Sequence, residues 1–176
     1  MRGRWLLATC VALALGVWAS VGAHGSRGLV TPGVSHVWRT VDGTVVGFED
    51  LPYFRLIHSV FQLRGDTGGE KAYLSMSWRE RRFATKRAAT CGGLRYLGRY
   101  VVDSRGDAGE GWFGLDDRFG TMHLTITRRL SVFKTAGLVG PPLCVQTWGR
   151  WSGETGVFGG YEGTFVFNDD GTLTLR

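Results

Sequence analysis

The stretch that decides the fold is Lys71-Ala72-Tyr73-Leu74-Ser75-Met76-Ser77-Trp78-Arg79. Ala72, Leu74, Met76 and Trp78 fall on one parity, and Tyr73, Ser75 and Ser77 on the other. Successive side chains of a strand point to opposite faces, so this pattern is that of a half-buried antiparallel strand with one apolar face. Thr121–Leu130 repeats it. Met122, Leu124 and Ile126 share a face opposite His123, Thr125 and Thr127. Further strands are expected at Ser35–Thr40, Thr44–Phe48, Tyr53–Leu63, Leu94–Val102, Gly111–Gly114, Cys144–Trp151, Gly163–Phe167 and Thr172–Leu175. Tyr53–Leu63 is apolar on both parities apart from Arg55, His58, Ser59 and Gln62, as in a barrel strand with a lined interior and a covered outside.

Between these runs, turns are signalled at Val41-Asp42-Gly43, Gly65–Gly69, Asp103–Gly109, Gly140-Pro141-Pro142 and Asn168-Asp169-Asp170-Gly171. No segment sustains a helical apolar period, and at most one helical turn fits near Arg82–Ala89. About eight strands in a chain of this size leaves few architectures. The expectation is all-β, a single antiparallel closed barrel, with a two-sheet sandwich as the alternative.

The N-terminus reads as an export signal covering residues 1–23. Arg2 and Arg4 form a basic start, Trp5–Trp18 is uncharged and largely apolar, and Val21 and Ala23 place small side chains before a cut after Ala23. The apolar run is shorter than the roughly 20 residues that a membrane helix needs. Removing it lowers the formal charge from +6 to +4, because only Arg2 and Arg4 are lost. Residues 24–176 then form one domain, expected to be periplasmic or extracellular, with no further apolar segment long enough to span a bilayer. Of the three cysteines, Cys10 leaves with the signal. Cys91 and Cys144 remain as an even pair in an oxidising compartment, and a disulfide between them is expected.

The most distinctive segment is Trp151-Ser152-Gly153-Glu154-Thr155-Gly156-Val157-Phe158-Gly159-Gly160-Tyr161-Glu162-Gly163. Its glycines permit close backbone approach, and Phe158 can tuck inward to plug one end of the domain. This segment resembles the allene oxide cyclase and dirigent-protein barrel group, through Gly153, Thr155, Gly156, Phe158 and Gly163. Glu154 departs from the second glycine of that pattern, and Tyr161 stands where alanine is usual. The resemblance covers about 25 residues of the chain. It implies an eight-stranded barrel with an apolar cavity, and leaves open both simple ligand binding and a cyclase or isomerase activity. No catalytic residue of those enzymes has a counterpart here.

Candidate chemistry is sparse. Aromatic residues and a few polar groups are what line an apolar ligand cavity, and Phe54, Trp78, Trp148, Phe158 and Tyr161 are the candidate lining residues. They are equally what fills a solid β core. His58 and Glu162 are the candidate ionisable groups for acid–base work; a packed core histidine and a surface glutamate are the plainer readings. Arg79, Arg81, Arg82, Lys86 and Arg87 form the densest basic run and could bind polyanions, where a solvated strand end is the plainer reading. The modest net charge and the exported address argue against a nucleic-acid partner. No metal motif, cofactor fingerprint or Gly-x-Ser-x-Gly element occurs, so no cofactor is expected.

Overall fold

The structure is a computed structural model that describes residues 35–176, apart from Thr67, Gly68, 117–119 and Val139. The proposed signal segment and its cleavage point therefore lie outside the described residues. Nine strands make up the secondary structure, and no helix occurs among the described residues. They are β1 (His36–Asp50), β2 (Phe54–Gly65), β3 (Lys71–Arg81), β4 (Thr85–Cys91), β5 (Leu94–Leu115), β6 (Gly120–Phe133), β7 (Cys144–Gly156), β8 (Glu162–Asn168) and β9 (Thr172–Leu175).

All pairings are antiparallel. Following hydrogen bonds from β1 through β2, β3, β5, β6, β7, β8 and β9 returns to β1. The sheet is thus a closed eight-stranded barrel with β4 outside the ring, paired only to β5. The sandwich alternative is excluded, because a single closed hydrogen-bond circuit contains every strand but one.

Closure depends on β5, the longest strand. Its second half, Gly109–Leu115, pairs with β3 and completes the ring, while its first half, Leu94–Val101, pairs with β4. The two halves meet at an irregularity between Arg105 and Gly109. There the sheet must pass within contact distance of β3. A Cβ on Gly109 would sit 2.1 Å from the Ser77 carbonyl oxygen, so only glycine fits. The turn expected at Asp103–Gly109 is therefore a bulge inside one strand, not a hairpin end.

The interior follows the alternation of the sequence. Ala72, Leu74, Met76 and Trp78 of β3 point inward beside Met122, Leu124 and Ile126 of β6, and all belong to the main core. One end is filled by rings. Phe113 packs edge-on against Trp38 at 5.1 Å and Phe158 at 5.8 Å, and Phe158 also meets Trp151. Phe158 is fully buried, as a plug residue should be. It reaches that place because Gly153 lets the β7–β8 connection fold flat; a Cβ on Gly153 would lie 1.6 Å from the Phe158 carbonyl oxygen.

A second, smaller core lies under the β4 flank. Cys91, Val101, Leu130, Val132 and Cys144 form it, with Ala89, Tyr96 and Trp148 packed against it. Cys91 and Cys144 are disulfide-bonded, as expected, and tie the end of β4 to the start of β7. The hairpin into β5 is closed by Gly92 and Gly93, both with positive φ, which is the backbone of a two-residue hairpin turn. The helical turn expected near Arg82–Ala89 is absent, and that stretch includes most of β4.

β9 is short. It pairs with β1 only over His36–Arg39. From Val41 to Asp50, β1 pairs with β2 alone among the described residues, and it shows register shifts at Thr40/Asp42 and Val45/Gly47. Val41, Val45, Val46 and Phe48 are exposed there. The separate strands expected at Ser35–Thr40 and Thr44–Phe48 are one bulged strand, and Val41-Asp42-Gly43 is a bulge within it. No helix among the described residues is long and apolar enough to cross a membrane.

Candidate functional site

Where β9 stops, the barrel wall opens. The opening leads into a recess of about 450 Å³, walled by Phe61, Met76, Trp78 and Phe167 from the interior. Thr40, Gly43, Val145 and the Asn168–Gly171 hairpin form its rim. This is the end opposite the one that Phe158 fills. The recess exists because β8 and β9 turn back early, at Asn168–Gly171. Thr40 Oγ1 and backbone N–H both donate to the Gly171 carbonyl and pin that hairpin to β1. Phe61 and Phe167 pack at 5.0 Å and hold the apolar side of the wall.

One charged residue lies in this apolar surround. Arg129 of β6 is buried, lines the recess, and has its guanidinium carbon 4.0 Å from the centre of the Trp78 ring. Strict alternation would turn Arg128 inward and Arg129 outward. Between Ile126 and Arg128, however, β6 carries an extra residue opposite β7, so Thr127 has no register partner there and the parity reverses. Leu130 and Val132 consequently face the disulfide flank, while Arg129 faces the barrel. Arg129 Nη1 donates to the buried Thr147 hydroxyl at 2.9 Å. No carboxylate among the described residues forms an ion pair with it. Burial lowers its pKa to about 10, opposed by the more distant charges of Glu80 and Asp169, so it stays cationic at neutral pH.

Of the residues singled out in the sequence for ligand contact, Trp78 alone lines this recess. Phe158 is at the closed end. Trp148 is half-buried on the outside of the barrel, with the Arg128 guanidinium 4.8 Å above its ring. Tyr161 is exposed in the connection after Phe158. Phe54 opens β2, with Arg79 over its ring at 5.8 Å.

The candidate acid–base groups are not in the recess either. His58 is on the outward parity of β2; its Nδ1 and Ser77 Oγ share a hydrogen bond of 2.6 Å, and Ser75 Oγ is 3.5 Å from Nε2. Glu162 is exposed at the start of β8. No group of three or more His, Cys, Asp or Glu among the described residues could hold a metal ion.

The basic run divides by pairing. Arg82 bonds Asp50 at 2.7 Å, and hydrogen bonds from Arg55 and Arg82 hold that carboxyl below its usual range. Arg87 bonds Asp103, which also receives Arg105 and Arg128. Burial opposes ionisation of Asp103, but the hydrogen bonds from Arg128, Arg105 and Arg87 outweigh it and keep its carboxyl well below the ordinary range. Arg81, Arg87 and Arg105 surround a second hollow of about 350 Å³ with Phe83 and Asp103. Arg79, Arg81 and Lys86 are exposed and form no ion pair among the described residues.

Sequence reasoning missed Arg129. The available signal was the Arg128-Arg129 pair interrupting an otherwise alternating strand, where a single extra residue decides which arginine turns inward. No protein-family model matches the chain, and neither the curated proteins nor the solved structures contain a match.

Proposed function

We propose that this protein is an exported β-barrel that binds a small, largely apolar molecule at the open end of its barrel. The observation that carries this reading is the recess itself. Its volume is within the range of small-molecule sites, and its inner wall is built of Phe61, Met76, Trp78 and Phe167. The disulfide supports the exported address, because such bonds persist in oxidising compartments. A closed eight-stranded ring is the architecture that the resemblance to the allene oxide cyclase and dirigent group implies.

A cyclase or isomerase acting in the same recess has less support. It would need His58 or Glu162 to reach a bound molecule, and neither lines the recess. Polyanion binding through Arg79–Arg87 also has less support, since Asp50 and Asp103 engage two of its five cations.

The neutral dye Nile red tests the binding reading. Its emission is expected to rise and shift to the blue on addition of the protein, and Val145→Trp, which fills the rim, is expected to abolish that change. A dye response that survives Val145→Trp, or no response from the native protein, would refute it.

A further inference from the structure

We infer that the recess selects ligands carrying a carboxylate, held by the Arg129 guanidinium with the Trp78 indole beside it. This inference rests on the binding reading above and specifies the ligand class.

Arg129 and Trp78 meet at the recess wall, and each carries a buried donor. Arg129 Nε, Trp78 Nε1 and Ser131 Oγ are all buried and have no hydrogen-bond partner among the described residues. Each can donate a hydrogen bond, and neither the guanidinium nor the indole can accept one. Arg129 and Trp78 are in direct contact and both line the recess. Ser131 is two residues beyond Arg129 on β6, on the same parity, and pairs with Val145 of the rim. Buried polar groups are normally satisfied, and an unpaired donor costs about 1–3 kcal/mol. Arg129 Nη1 is used by the Thr147 hydroxyl, but the donors left over beside a fixed positive charge are complementary to an anion. The guanidinium fork matches a carboxylate in particular, since two parallel N–H groups meet two coplanar oxygens. The Trp78 ring against one face of the guanidinium helps fix the plane of that fork.

The neighbouring walls fix the rest of the ligand. Phe61, Met76 and Phe167 are apolar, so the molecule that fills the recess is amphipathic: a carboxylate on an aliphatic or aromatic body. Asp169 and Asp170 on the rim do not cancel this. Both are exposed to water, and each already accepts a backbone hydrogen bond, Asp169 from Val145 N–H and Asp170 from Thr172 N–H. The charges of Glu80 and Asp169 do act on the guanidinium, but neither carboxylate forms an ion pair with it, so they reduce its pull on an anion without replacing it.

Two matched pairs of probes separate head group from body: decanoate against decanol, and naphthoate against naphthylmethanol. Affinities are read by displacement of Nile red and by calorimetry. The native protein is expected to prefer each carboxylate over its alcohol by at least about tenfold, the equivalent of one charge-assisted hydrogen bond. Arg129→Met keeps the volume and is expected to erase that preference while leaving alcohol affinity within about threefold. Should Arg129→Met fail to fold, Trp78→Phe removes the indole N–H together with part of the apolar wall, and is expected to weaken each carboxylate about threefold or more beyond its effect on the matched alcohol.

Equal affinity for carboxylate and alcohol in the native protein, or a preference that survives Arg129→Met, overturns the head-group assignment and leaves the apolar reading standing. Failure of all four probes and the dye to bind overturns both.

Discussion

Releasing the Cys91–Cys144 bond is expected to loosen β4 before it unfolds the barrel. The bond closes a loop of 53 residues in sequence separation. In the chain-entropy treatment, a loop of that length restricts the unfolded chain by about 14 cal/mol/K, or about 4 kcal/mol at 25 °C. For a domain of this size that corresponds to a fall in Tm of about 10 °C. The local effect should be larger than the global one. β4 lies outside the ring, pairs with β5 alone, and buries only one of its seven residues, Cys91 itself. Arg87 ties it to Asp103 of β5 at 2.9 Å, and the flank's other ties are slight, through Gly92 N–H to Gln146 Oε1 at 3.3 Å and Tyr96 hydroxyl to the Leu143 carbonyl at 3.4 Å. Reduced β4 therefore has little apolar area to hold it down. Refolding the protein from denaturant with and without a thiol reductant, then following thermal unfolding by circular dichroism and amide exchange by mass spectrometry, measures both effects. The expected result is the Tm loss above, together with rapid exchange across Thr85–Thr90 while Ala72–Trp78 and Met122–Ile126 stay protected. A Tm change under about 2 °C, with unchanged protection of Thr85–Thr90, would show that the flank is held by its own packing and that the reasoning is wrong.

Asp103→Asn removes the carboxylate that joins Arg87, Arg105 and Arg128, and is expected to cost about 2 kcal/mol in urea unfolding. Because the folded pKa of Asp103 is depressed, its contribution is complete above the unfolded value of 3.8 and is lost as pH falls below that towards the folded one. The stability difference between native protein and variant should accordingly be constant near neutrality and shrink below about pH 4; a difference that grows on acidification contradicts the assignment. Gly153→Ala places a methyl group on the Phe158 carbonyl and should displace the plug, costing about 3 kcal/mol or more in thermal unfolding, whereas the adjacent Glu154→Ala should cost under about 0.5 kcal/mol. Equal small losses would show that the plug does not depend on that close approach.

Much of the ring could be read from residue order because burial there follows a strict period of two. Lys71–Arg79 and Thr121–Ile126 show the same faces in the structure as in the sequence. Asn168–Gly171 is a hairpin in both, and Cys91 and Cys144 are joined. Reading failed wherever a strand carries an extra residue. Asp42-Gly43 and Asp103–Gly109 have turn composition, yet both are bulges, since glycine and aspartate suit either use and only the neighbouring strand decides. The same ambiguity concealed the site. Thr127 has no local mark distinguishing it from an ordinary strand residue, so the reversal that turns Arg129 inward depends on β7 alone. The position of the recess was equally hidden, because it follows from β9 being shorter than the strands on either side of the opening.

The long unbonded margin of β1 carries a risk that its own irregularities answer. A row of free amide and carbonyl groups beside Val45, Val46 and Phe48 would ordinarily recruit the backbone of another molecule and grow outward. The register slips at Thr40/Asp42 and Val45/Gly47 break that row into short lengths whose twist does not match a straight incoming strand. An intruder could form only a few bonds before losing step. The gap beside the recess is therefore a poor template for a further strand.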